Sequence, residues 1–186
     1  MPDELLDVVN DADAVTIQSM RSVVHERGLL HRGVHILLFT PDGNLLIQKR
    51  SANRRQYASL WDCSVSEHVK AGESYQEAAE RGLLEELGIT SVTLQPLVKY
   101  KMNYGQNDNE ISVVFQGCTD STKVCPDPVE IDSVHWLSVD ELKSMMDREN
   151  SEFSGWFLEI MHWYRGKPSA LIVLQRWQDN PGQIDI

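Results

Sequence analysis

Residues 63–89 read CSVSEHVKAGESYQEAAERGLLEELGI, passing from a strand-like segment through a glycine-containing loop into an acidic helix. Ser74 and Glu77, three positions apart, have the pattern of a capping box, in which each side chain satisfies the other residue's backbone N–H. Gly88 marks the stop, because helices commonly close on a left-handed residue and glycine takes that conformation without a steric cost. At about 100° per residue, Ala79, Leu83, Leu84 and Leu87 fall into one apolar stripe. Gly82, Glu85 and Glu86 centre on another face, with Glu86 nearest the stripe. Adjacent carboxylates on a packed helix, with Glu73 in the loop before it, suit a hard divalent cation. A solvated acidic face fits the same spacing, and the residues alone leave both readings open.

Around this stretch the chain has 186 residues, 41% of them hydrophobic and 24% charged. That is enough for one soluble domain over residues 1–186, with its core at about 5–165 and a loose tail from about Pro181. The net charge of −11 disfavours nucleic acid and anionic membrane as partners, but not a small anionic substrate met by local basic groups. No apolar run reaches the ~18 residues of a membrane span, and the acidic start MPDELLDVV lacks the basic region of a signal peptide. Cys63, Cys118 and Cys125 are odd in number and without metal-knuckle spacing. A reducing, cytoplasmic setting is the expectation.

Taken in order, Leu5–Val9 and Ala14–Ser19 flank a turn-rich tetrapeptide and predict a hairpin. Arg21–Arg32 reads as irregular. Gly33–Thr40 and Asn44–Lys49 predict a second hairpin across Pro41-Asp42-Gly43, and Leu60–His68 predicts one strand leading to the acidic helix. Val92–Met102, Ile111–Gly117 and Ile131–Leu137 read as strands, and 138–146 and 152–163 as helices. The apolar run 170–174 has no assignment. Strands first, with helices between and after them, predict an α+β fold with a mixed sheet and flanking helices.

The 67–89 stretch resembles the Nudix box, G-x5-E-x7-R-E-U-x-E-E-x-G-U with U apolar, through Glu73, Arg81, Leu83, Glu85, Glu86, Gly88 and Ile89. Two positions depart: Glu67 stands at the first Gly, and Gly82 at the Glu after Arg, a metal ligand in the family. The resemblance implies an αβα sandwich and Mg2+ held by Glu85 and Glu86 with Glu73. Within the superfamily the chain is similar to the type 1 isopentenyl-diphosphate isomerases. The similarity is carried by GLLHR at 28–32, LLIQKRS at 45–51, GES at 72–74, NE at 109–110 and FSGWF at 153–157. It implies a second divalent ion, Mn2+ or Zn2+, at His25, His31, His68, Asp108 and Glu110, with Asp108 where the family has Glu. It also implies diphosphate binding by Arg21, Arg50 and Arg54, and an aromatic face at Trp156.

That isomerisation pairs a Cys with a metal-bound Glu to move two protons. Glu110 matches the Glu, but Ser66 stands at the Cys, with no activating base evident in the sequence. Strand alternation places Cys63 on the opposite face from Ser66, and His35, His135 and His162 read as ordinary core or surface residues. The leading expectation is therefore a metal-dependent hydrolase of a prenyl or nucleoside-diphosphate-like substrate. The alternatives are the isomerase itself, with Ser66 and Glu110 as its acid–base pair, and a non-catalytic diphosphate-binding protein.

Overall fold

The computed structural model describes residues 3–54, 56–105 and 107–177. In chain order the elements are β1 (Leu5–Val9), β2 (Val15–Met20), α1 (Arg21–Arg27), β3 (His31–Phe39), β4 (Leu45–Arg50), β5 (Trp61–Asp62) and β6 (Val65–His68). There follow α2 (Tyr75–Leu87), β7 (Gln95–Asn103), β8 (Asn109–Cys118), β9 (Ile131–Leu137), α3 (Val139–Glu149), α4 (Gly155–Tyr164) and β10 (Ile172–Arg176). Strands β1 and β2 form a separate hairpin. The other eight make one mixed sheet in the order β10-β7-β8-β3-β4-β5, with β6 on β3 and β9 on β4.

Alternation along β3 and β4 sorts side chains to two cores. Leu37, Phe39, Leu45 and Ile47 pack with Leu142 and Met146 of α3 and Phe157 and Ile160 of α4. Val34, Ile36, Leu38 and Leu46 pack with Ala79, Leu83 and Leu87 of α2 on the other face. Each of the larger of these side chains, Val, Leu, Ile, Phe or Met, contributes roughly 1.5–3 kcal/mol of transfer free energy. Helices on both faces of a mixed sheet are the expected αβα sandwich.

The Pro41-Asp42-Gly43 turn is present, but its ladder is a single pair, Phe39↔Leu45. Beyond the turn the strands splay: β6 takes β3 from Gly33↔His68 to Ile36↔Val65, and β4 leaves to pair with β9. The buried Ser64 hydroxyl holds the branch point, accepting from Leu38 N at 2.9 Å and donating to Leu46 O at 2.7 Å. Leu60–His68 is therefore two short strands, broken at Cys63–Ser64.

Other expectations are corrected locally. Arg21–Arg27 is helical, closed by Gly28 at φ 62°. Both cap signals of α2 hold: the Ser74–Glu77 box is formed, and Gly88 has φ 68°. Leu84, however, is 51% exposed. It lies about 100° past Leu83, off the edge of the stripe, and Gly82 and Glu86 are buried on the stripe side instead. Helix α4 starts at Gly155 rather than Glu152, because Phe153 is drawn into a bridge with Trp61. The unassigned run becomes β10, the sheet edge beside β7. The tail from Pro181 lies outside the described residues, and no described helix is long and apolar enough to cross a membrane.

Candidate functional site

Strand register brings distant residues together. The parallel β3–β8 ladder sets His31 beside Glu110 and Gly33 beside Ser112. On the other edge of β3, Gly33 pairs with His68 and His35 with Ser66. The site therefore lies on the α3/α4 face of β3, β6 and β8. Gly33 leaves it open: a Cβ there would meet Glu110 Oε2 at 2.4 Å and Ser112 Oγ at 3.0 Å.

The register and α1 gather His25, His31 and His68. His25 Nε2 and His68 Nε2 are 3.2 Å apart, and His31 Nε2 and His68 Nε2 lie 3.4 and 3.8 Å from Glu110 Oε1. His25 Nδ1 is 3.4 Å from Asp108 Oδ1. His31 Nδ1 donates to Leu29 O at 3.0 Å, which fixes the ring and turns Nε2 inward, as the outer contacts of a metal-binding histidine do. His25 Nδ1, His31 Nε2 and Asp108 Oδ1 are buried without a hydrogen-bond partner. Convergent, unsatisfied nitrogen and oxygen donors fit a divalent transition metal. Without one, burial and the charge of His31 push His68 well below the ordinary histidine range. Burial raises Glu110, but its pairing with the charge of His31 outweighs that and holds it well below the carboxylate range.

Beside this cluster Ser66 has the imidazole that the sequence did not reveal. His35 Nδ1 is 3.1 Å from Ser66 Oγ, and His35 Nε2 is 3.4 Å from the Tyr104 hydroxyl. Burial lowers the His35 pKa, which keeps the ring neutral. His35 is thus a site residue rather than ordinary core. The expected parity of Cys63 also fails. The break after Asp62 turns Cys63 into the same α3/α4 core that Ser66 borders, where burial pushes its thiol well up.

Asp62 is a second residue that the sequence reading missed. It is fully buried. Its Oδ1 accepts from Cys63 N at 2.7 Å, Ser154 Oγ at 2.9 Å, Trp156 Nε1 at 2.5 Å and Ser66 Oγ at 3.3 Å. Its Oδ2 takes Arg50 Nη1 at 2.8 Å. A lone Asp in an apolar strand was the available signal, since carboxylates are rarely buried unless paired. Asp62 fixes Trp156, whose ring lies 4.5 Å from that of Tyr57 and 5.4 Å from that of Tyr104, and Arg50 stacks over it at 5.3 Å.

His35 lines a cleft of about 500 Å³, its open mouth included. Arg21, Arg50 and Arg54 line it together with Trp156, Ser66, His68 and Glu110. Arg54 also pairs with Glu130. The α2 carboxylates divide. Glu86 is buried, with Oε2 accepting from Gln48 Nε2 at 2.8 Å and Oε1 unpartnered. Glu85 is half exposed, bonded to Arg81 at 3.1 Å and 3.9 Å from Lys70. Glu73 accepts from Arg81 through both oxygens, at 2.8 and 3.0 Å, and from Lys70 N at 2.9 Å. Of the expected Mg2+ ligands, the structure leaves Glu86 with a free oxygen and ties Glu73 to Arg81.

A mixed sheet thus lies between α2 and the α3/α4 pair, with a basic cleft beside it. The NUDIX domain family model matches residues 29–157, and the chain belongs to that family. It is 32% identical over 182 residues to the isopentenyl-diphosphate Delta-isomerase of Serratia proteamaculans, covering 94% of this chain and 96% of that protein. A Pseudomonas aeruginosa protein named as an uncharacterized Nudix hydrolase is 39% identical over 92 residues, half of this chain and 54% of its own length. Among solved structures, DR0079 from Deinococcus radiodurans aligns with a TM-score of 0.72 at 25% identity, over 86% of this chain and 98% of its own.

Proposed function

We propose that the chain is a metal-dependent Nudix hydrolase of the isomerase-like branch, cleaving the diphosphate linkage of a prenyl or nucleoside-diphosphate-like substrate. The observation that carries this reading is a cleft lined by three guanidinium groups, two of which, Arg54 and Arg50, act electrostatically on Glu86 of the neighbouring α2 helix, whose Oε1 is buried without a partner. Arg21, Arg50 and Arg54 grip the phosphate oxygens, for which the guanidinium fork is suited. Trp156, backed by the rings of Tyr57 and Tyr104, faces the organic end. Glu86 and Glu85 would hold Mg2+, and His25, His31, His68, Asp108 and Glu110 would hold Mn2+ or Zn2+. When bound, such a cation supplies positive charge against the phosphate oxygens and polarises an attacking water.

A second reading, isopentenyl-diphosphate isomerisation, is favoured by the Ser66–His35 contact and by the name of the Serratia relative. There Ser66, held beside His35, and Glu110 are the acid–base pair: Ser66 delivers a proton to the alkene, Glu110 removes one from the other side, and exchange with solvent restores both groups. One experiment weighs both: incubation with isopentenyl diphosphate, and separately with nucleoside diphosphates, in Mg2+ or Mn2+, followed by phosphorus and proton NMR. Release of phosphate or pyrophosphate is the expected result. Appearance of the dimethylallyl isomer without release would overturn hydrolysis in favour of the second reading. Thermal stabilisation by a ligand with no turnover at all would instead make the protein a diphosphate binder.

A further inference from the structure

The two departures from the box pattern meet in space. A Cβ built on Gly82 would lie 2.8 Å from Val65 Cγ1, 3.1 Å from Glu67 Cγ and 3.5 Å from Glu67 Cβ. The stem of Glu67 thus fills the space a side chain at position 82 would need. Position 82 of α2 is bare, and the strand facing it carries a long acidic residue. Alternation along β6 explains why Glu67 can do this while its neighbours cannot: Ser66 and His68 face the histidine side, and Glu67 faces α2.

One helical turn beyond Gly82, on the same face, stands Glu86, 4% exposed, with Oε1 lacking a partner. Glu67 lines the cleft and places Oε2 on Arg81 Nη1 at 2.9 Å. Arg81 cannot balance both carboxylates, because it also serves Glu73, Glu85 and the carbonyl of His68. Arg54 is paired with Glu130. A buried carboxylate oxygen with no donor is costly, and a cation would remove that cost.

We propose that Glu67 and Glu86 form a divalent-cation site between β6 and α2, at the Glu67 side of the cleft, with β6 delivering the carboxylate that α2 lacks at position 82. This rests on the reading of α2 as a cation-holding helix and changes its ligands. The donors are carboxylate oxygens, which select a hard ion such as Mg2+ or Mn2+ and leave the rest of its shell to water and substrate oxygens. The histidine cluster, on the other face of β6, has softer donors and is a separate site.

The test is Mn2+ binding to the full chain without substrate, followed by electron paramagnetic resonance, with Glu86→Gln defining the relevant class of sites. Glu67→Gln, which preserves shape, is expected to weaken that class by at least about tenfold. The exchange variant, Glu67→Gly with Gly82→Glu, moves the carboxylate back to the helix and is expected to regain most of the binding. Removing the Glu67 side chain relieves two of the three close contacts and leaves only a Val65 methyl to shift. Melting curves establish that each variant is folded. Wild-type affinity in Glu67→Gln would overturn the proposal while leaving Glu86 as a ligand. A folded exchange variant that binds no better than Glu67→Gly would overturn the idea that the two positions serve one site. If Glu86→Gln removes no Mn2+ at all, the cation reading of α2 fails as well.

Discussion

Asp62 shows how much of the site rests on one buried charge. Its carboxylate is fully enclosed, and it is the ion-pair partner of Arg50, itself only 6% exposed. It also orients Trp156 through the indole N–H. Breaking a buried pair from one side leaves an uncompensated charge, which costs about 3–5 kcal/mol. Asp62→Asn keeps the volume and loses the charge. Its urea unfolding midpoint is expected to fall by the equivalent of about 3 kcal/mol or more with an unchanged slope. A variant as stable as wild type would show that Arg50 finds another partner and that Asp62 is not the anchor of the aromatic wall. The same residue-level logic applies to Ser66, whose neighbours the sequence does not show: its hydroxyl donates to Asp62, and His35, 31 positions away in the chain, lies within hydrogen-bond reach.

At the level of elements, the splay of β3 from β4 creates the cleft, since it admits β6 between them. Ser64 holds the splay by joining Leu38 N to Leu46 O. Ser64→Ala strands a buried N–H and a buried carbonyl, each worth about 1–3 kcal/mol when unsatisfied. Thermal unfolding should show a clear loss of stability, and hydrogen exchange at Leu38 should accelerate. Protection unchanged at Leu38 would mean that the strands hold the branch without Ser64. Sequence reading found the elements well where the signal is local. The Ser74–Glu77 box, the Gly88 stop and the span of β9 are all set by neighbouring residues. It erred where pairing is decided at a distance. Residues 33–40 and 44–49 have the composition of a hairpin, and nothing local says that β6, β8 and β9 take their edges. Cys63 was misplaced for a related reason, because alternation was carried across a break that only the fold introduces. The residues around the histidines were legible by resemblance, whereas Asp62, His35 and the Glu67–Gly82 contact depend on register and on the β6–α2 packing, which no spacing rule reports.

For the molecule as a whole, the cleft lies between two groups of buried charge, and its stability should record how they are balanced. Burial first, then the charge of Glu67, push the Glu86 pKa up to about 8, against about 4.3 for a Glu in an unfolded chain. The native state therefore keeps a proton that the unfolded state releases, so this contribution is complete below about pH 4 and is lost as pH rises through 8. His31, buried but raised by Glu110, acts in the same direction above its ordinary value. His68, pushed down, opposes them only below about pH 6.5. Between about pH 6.5 and 8.5 the metal-free chain is thus expected to lose stability as pH rises, by up to about 1.4 kcal/mol per unit for each titrating proton. Mn2+ competes with the proton for the same carboxylate, so its stabilisation should be larger at pH 8.5 than at 6.5. At a hundredfold excess over its dissociation constant it adds about 2.7 kcal/mol. Melting temperatures in EDTA and in Mn2+ at the two pH values measure both effects, and Glu86→Gln should flatten the EDTA series. A melting temperature in EDTA that is equal or higher at pH 8.5 would mean that Glu86 is already ionised at neutral pH, balanced by Arg54 and Arg81 without any cation.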